Sequence, residues 1–246
     1  MVAAPALSSA KRPSIRDRSR RRLRASDRAR RGLRLLVFAL PLIVAGAASA
    51  EECVTIDDFA AGKVGEFPPG WKVRKEEGRS VYTIQEDGGQ RFLHAHSRGL
   101  GIQAAKEFGW DLARYPILAW SWRAVEFPPG ADERSGKTND SALAVYALFP
   151  HTMMSVKAVK YIWSAVVPAG ARLSSNMGLT QVRVLRNGTE GRGRWVDERV
   201  NVRDDYLKYF EASEAPKPAG IAVLTDADDT KSSAQGDYAS FRACAP

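Results

Sequence analysis

The residues with the most chemistry in their spacing lie in Thr225-Asp226-Ala227-Asp228-Asp229-Thr230. Hard oxygen donors at alternating positions are what a calcium loop offers, so Asp226 and Asp228 are the candidate metal ligands. The stretch lacks the glycine and the distal glutamate of a helical calcium loop. A solvated turn, in which Asp and Thr satisfy local backbone donors, is the competing reading. A second constellation is a carboxylate pair. Asp140 follows a polar loop and Glu126 ends an apolar segment, and glycoside hydrolysis needs two carboxyls facing each other across a cleft. With 26 acidic residues after position 50 some pair is inevitable, so Asp140 and Glu126 stand as the enzymatic alternative. His94 and His96 share one strand face, but a zinc site would need His151 to converge with them, and the spacing does not force that. Gly99-Leu100-Gly101-Ile102-Gln103-Ala104 precedes a strand, so a phosphate would meet no helix N-terminus.

The aromatic residues carry the remaining signal. All six tryptophans fall after residue 50. Exposed indoles stack on sugar rings, whereas buried ones fill the inner faces of a sandwich. Trp120 and Trp122 lie two apart in Ile117-Leu118-Ala119-Trp120-Ser121-Trp122-Arg123-Ala124-Val125, an apolar run that reads as one strand. Both are predicted to be core. Trp71, Trp110 and Trp195 sit beside turns and are the candidate ligand contacts. The arginines around Gly193 offer an anion-docking surface or a solvated hairpin, and the hairpin is favoured.

These residues need elements to hold them. About a dozen short segments alternate as strands do, separated by turn signals at short intervals. Phe67-Pro68-Pro69-Gly70 and Phe127-Pro128-Pro129-Gly130 stop pairing, and Asp87-Gly88-Gly89 reads as a hairpin turn. One helix is predicted over 205–212, capped by Asp204. No βαβ alternation occurs, which excludes a parallel α/β sheet. The predicted fold is all-β: a two-sheet antiparallel sandwich of jelly-roll type with one short helix.

The formal charge of +9 suggests nucleic acid until it is located. Residues 1–50 carry twelve Lys or Arg against two Asp, leaving 25 basic and 26 acidic residues in the remainder. The basic stretch precedes an apolar run, Leu35 to Val44, and ends at Ala48-Ser49-Ala50, the pattern of a secretory leader. Cleavage is expected before Glu51, leaving one domain over 51–246, in the periplasm or outside the cell. The near-neutral remainder and its export argue against a nucleic-acid partner, and the apolar run is too short to span a membrane comfortably. The only two cysteines, Cys53 and Cys244, lie near the ends of that domain, and export favours a disulfide between them.

With Trp120-Ser121-Trp122, Asn139-Asp140, Tyr161-Ile162-Trp163 and Thr225-Asp226-Ala227-Asp228-Asp229-Thr230 in this order, the chain from about Phe59 to Phe241 resembles a bacterial exported family, domain of unknown function 3047. That resemblance implies no activity. Ile56-Asp57-Asp58-Phe59, Gly70-Trp71 and Asp237-Tyr238-Ala239-Ser240-Phe241 are more distantly similar to carbohydrate-binding jelly rolls of the galactose-binding-like kind. This second likeness implies a sandwich with a ligand face. The expectation is a non-catalytic envelope module that binds a glycan or related ligand and needs no cofactor, with structural calcium as an option. The alternatives are a glycan hydrolase using the carboxylate pair, or a protein-interaction module.

Overall fold

The computed structural model describes residues 51–246 apart from Met154, so the leader read at 1–50 lies outside the described residues. The strands are β1 (Cys53–Asp57), β2 (Trp71–Val73), β3 (Tyr82–Asp87), β4 (Gln90–Arg98), β5 (Ala104–Glu107), β6 (Ile117–Glu126) and β7 (Leu143–Thr152). They continue with β8 (Ser155–Ser164), β9 (Arg172–Ser175), β10 (Thr180–Asn187), β11 (Val196–Asn201), β12 (Gly220–Leu224) and β13 (Ser233–Cys244). One α-helix, α1 (Val202–Tyr209), follows β11.

The strands form two sheets. One has six strands, in the order β11-β6-β13-β4-β3, with β1 also paired to β13. The other has seven, in the order β2-β5-β12-β7-β8-β10-β9. The all-β sandwich is therefore the architecture. One pair departs from the antiparallel rule: β10 runs parallel to β8. The chain reaches β10 through β9, a short, mostly polar edge strand whose Arg-Leu-Ser-Ser gives no alternation to read.

The tryptophan strand is the inner wall of the six-stranded sheet. Leu118, Trp120, Trp122 and Ala124 point inward and are at most 1% exposed. The Trp120 and Trp122 rings meet edge to face at 5.4 Å, and they touch Tyr161 and Trp163 of the facing sheet at 5.7 and 6.1 Å. Side-chain alternation puts all four rings in one layer, so removing a ring opens a hole that the two sheets cannot collapse to fill. Both Trp residues are core, as their apolar run implied.

β13 runs through the centre of the six-stranded sheet, and Cys244 lies opposite Cys53 in the β1–β13 register. The Cys53–Cys244 disulfide joins them across a sequence separation of 191 residues. The β3–β4 turn is built by Gly88 and Gly89, with φ of 57° and 81°, the left-handed pair that a tight hairpin requires. The helix begins earlier than its periodicity suggests. Its cap is Asn201, whose side chain accepts the Asp204 N–H at 3.0 Å, so Asp204 lies inside the first turn. Among the described residues no helix is long and apolar enough to cross a membrane.

Candidate functional site

β7 and β8 each serve two faces. Val145, Ala147 and Phe149, with Val159, Tyr161 and Trp163, fill the space between the sheets. Residues of opposite parity, Tyr146 and Leu148, Ala158, Lys160 and Ile162, point to the outside. There they join Val182, Val184, Ala222 and Leu224 in a second, smaller apolar cluster. Ala144, Ala158 and Ala222 keep this floor low, so loops can close over it and still leave room. The space left is a cleft of about 540 Å³. Its lining includes Arg74, Lys75, Gln103, Asn139, Tyr146, Lys160, Asn176 and Asp226. A chamber of about 150 Å³ adjoins it, sharing Asn139, Lys160 and Ser175.

Lys160 stands at that junction and is only 6% exposed. It pairs in register with Tyr146, and its Nζ lies 5.5 Å from the Tyr146 ring centre. Burial pulls its pKa down, but Tyr146, Asp226 and Glu133 more than offset this, so the ammonium is held above the usual lysine value. Asp226 is 7% exposed. Burial pushes its carboxyl up to about 8; Lys160 opposes the shift, while Asp228 and Asp140 add to it. Glu133, on the chamber side, accepts hydroxyls from Ser141 at 3.0 Å and Ser164 at 2.5 Å. The result is a buried cation between two carboxyls, edged by amides and by two exposed cations. Such a lining can donate and accept many hydrogen bonds, Tyr146 and Lys160 from strands and the others from the segments between strands.

The predicted site residues scatter. Trp71 is not a surface contact. It is 3% exposed, packs on Phe59 and Phe241 at 5.8 and 6.1 Å, and donates to Asp57 Oδ2 at 2.7 Å. Trp110 is 4% exposed and donates to the Tyr115 carbonyl at 3.1 Å. Each indole folds back into the core and finds an acceptor there, and Trp110 also borders a groove of about 380 Å³ beside Asp111 and Arg203. Trp195 alone of the three is half-exposed, with Arg123 over its ring at 4.8 Å. It lines a separate groove of about 460 Å³ with Arg186 and Arg194.

Glu126 and Asp140 take separate partners. Glu126 accepts Gln235 Nε2 at 2.6 Å, beside His96 on the six-stranded sheet. Asp140 caps the 226–230 loop, accepting the Asp229 and Thr230 N–H groups and the Thr230 hydroxyl at 3.1, 2.8 and 2.5 Å. Asp228 and Asp229 lie beside it, the three carboxylates having oxygens within 4.8 Å of one another. His94 belongs to another network, in which buried Asp237 binds it at 2.7 Å and Arg123 at 2.6 Å. Sequence reasoning missed Lys160, Tyr146 and Glu133. The one visible signal was a lysine inside the apolar run Ala158-Val159-Lys160-Tyr161-Ile162-Trp163.

Fold and site thus define a β-sandwich with a polar cleft on the outer face of its larger sheet. The chain belongs to the family described as "Protein of unknown function (DUF3047)", whose model matches residues 69–242. No curated protein matches it. Among solved structures it is similar to endoglucanase 3 of family GH12 from Trichoderma harzianum, with 12% identity, TM-score 0.38, and 80% of this chain and 98% of that chain covered. It is also similar to the family 11 xylanase from Neocallimastix patriciarum, with 10% identity, TM-score 0.36, and 79% and 100% covered. The xyloglucanase domain of NopAA from Sinorhizobium fredii aligns at 8% identity and TM-score 0.34, covering 71% and 96%.

Proposed function

We propose that this is an exported binding protein of the cell envelope whose ligand is a glycan held in the cleft around Lys160. The observation that carries the reading is the lining: Lys160, Tyr146, Gln103, Asn139, Asn176 and Asp226 border one space of about 540 Å³. A sugar presents hydroxyls that both donate and accept. It is matched by amides, a phenol and charged groups better than by an apolar pocket. The Cys53–Cys244 bridge supports export, since disulfides persist in oxidising compartments. Binding is favoured over hydrolysis by the Asp140–Glu126 pair because both carboxyls are engaged elsewhere in the fold. Trp195, in its own groove with Arg186 and Arg194, is a secondary contact at most.

The test is an array of bacterial envelope and matrix glycans, probed with the parent protein and with Lys160→Met. Methionine keeps the length of the stem and removes the charge. Losing a hydrogen bond from a charged donor costs about 1.5–3 kcal/mol, so affinity should fall by at least ~10-fold. A variant that binds as the parent does, or a parent that captures no glycan, contradicts the reading. Release of shortened sugars from a bound glycan would favour the hydrolase instead.

A further inference from the structure

The loop after β12 holds more acid than a turn needs. Carboxylate oxygens of Asp140, Asp228 and Asp229 lie within 4.8 Å of one another. An acidic group of this kind is common on protein surfaces and would mean little alone. A fourth carboxyl changes the argument. Asp226 is 7% exposed, and its Oδ1 is buried with no hydrogen-bond donor. That oxygen points toward Asp228. A Cβ placed on Gly101 would sit 2.5 Å from Asp226 Oδ1 and 2.8 Å from Asp228 Oδ1, so both oxygens crowd one point. Gly101 has no positive φ, so what the site takes from this glycine is space. A buried carboxylate oxygen without a donor is costly, and the cost is met either by a proton shared with Asp228 or by a cation in its place.

We propose that Asp140, Asp226, Asp228 and Asp229 form a binding site for a divalent calcium-class cation at the edge of the cleft. Asp140 can both cap the loop and bind. Its two oxygens offer about four lone-pair positions, and three donors occupy them. Lys160 faces Asp226, Lys231 Nζ donates to the Asp228 carbonyl at 2.6 Å, and Arg74 and Lys75 border the same cleft as Asp226. The donor set is all oxygen, with no histidine or cysteine among the described members of the cluster, which suits calcium and not zinc. Calcium tolerates an irregular set of carboxylates, whereas magnesium demands a near-ideal octahedron. The ion would tie β12 to the chain leading into β7 and so set the wall to which Asp226 belongs. Asp226 also borders the proposed glycan cleft, but calcium binding and its thermal shift are read with no glycan present, so either proposal can fail alone.

The experiment is equilibrium dialysis of the disulfide-bonded full chain against calcium, with thermal midpoints in calcium and in chelator. Binding to the native state at about a hundredfold excess over Kd should raise the midpoint by roughly 5–10 °C. Asp228→Asn should weaken binding at least ~10-fold, since even groups behind the direct ligands cost that much. Gly101→Ala, whose methyl would meet Asp226 Oδ1, should also abolish the calcium response. If Asp228→Asn fails to fold, Asp229→Asn replaces it. No bound calcium and equal midpoints in the parent protein would overturn the proposal. So would a calcium response left intact by these variants, or one that magnesium reproduces at equal concentration.

Discussion

The two tryptophans of β6 allow a prediction in which the indole nitrogen decides the sign. Both rings are at most 1% exposed and sit in the same layer. Truncating either to alanine should cost about 3–5 kcal/mol, a large share of the ~5–15 kcal/mol that holds a domain together. Replacement by phenylalanine separates the two. Trp122 Nε1 donates to Glu198 Oε1 at 3.1 Å, and Glu198 also takes the Arg186 guanidinium. Trp122→Phe therefore loses ring volume and a charge-assisted hydrogen bond worth about 1.5–3 kcal/mol. Trp120 Nε1 is buried with no acceptor. Trp120→Phe loses similar volume but removes an unsatisfied donor whose burial costs about 1–3 kcal/mol. Trp120→Phe should accordingly be milder than Trp122→Phe by roughly 2 kcal/mol or more. The assay is urea unfolding with the disulfide intact, comparing midpoints at unchanged m. Equal midpoints for the two phenylalanine variants, or alanine variants that unfold like the parent, would refute the reasoning.

Three further outcomes follow from the same structure. Mass spectrometry of the protein isolated from its native host should find one Cys53–Cys244 bridge and no free thiol, and removing it should cost up to about 5 kcal/mol for a loop closed across 191 residues; a stability unchanged by reduction would contradict this. Burial raises the Tyr82, Tyr161 and Tyr238 hydroxyls above the ordinary value of 10.0. The native state then holds protons that the unfolded chain has released, so stability is complete below pH ~10 and falls as pH rises beyond it; phenolate absorbance from these three should appear only with loss of circular dichroism, and earlier titration in a folded protein would be the contrary result. Asn201→Ala removes the α1 cap and should cost about 1 kcal/mol in denaturant midpoint, while Asp204→Ala, at the position the sequence favoured, should cost less.

The parts of this fold that could be read from sequence are those where a short-range pattern has a single physical solution. Alternation in β6 put Trp120 and Trp122 on one face, and a two-sheet core had to bury them. Gly88-Gly89 could only be a tight turn between paired strands. The cysteines near the two ends met because β1 and β13 are neighbours. Where the outcome depended on distant partners, sequence was silent or misleading. Trp71 turned inward because Asp57 and Phe241 were waiting for it, and neither is near in sequence. Asp140 looked like a catalytic acid because its loop was flexible, but its partners are the backbone groups of Asp229 and Thr230. Lys160 stood out within its apolar strand, yet its role as the cation between Asp226 and Glu133 exists only after β12 and the 131–141 loop reach β8.

If ligand binds in the cleft over the seven-stranded sheet, the contact should be visible directly. A crystal structure of the protein with the tightest-binding array glycan tests it most directly. Sugar hydroxyls should lie within about 3 Å of Lys160 Nζ and the Tyr146 hydroxyl, with the ligand bordered by Asn139 and Asp226. A glycan seated in the Trp195 groove instead, leaving Lys160 without contact, would contradict it.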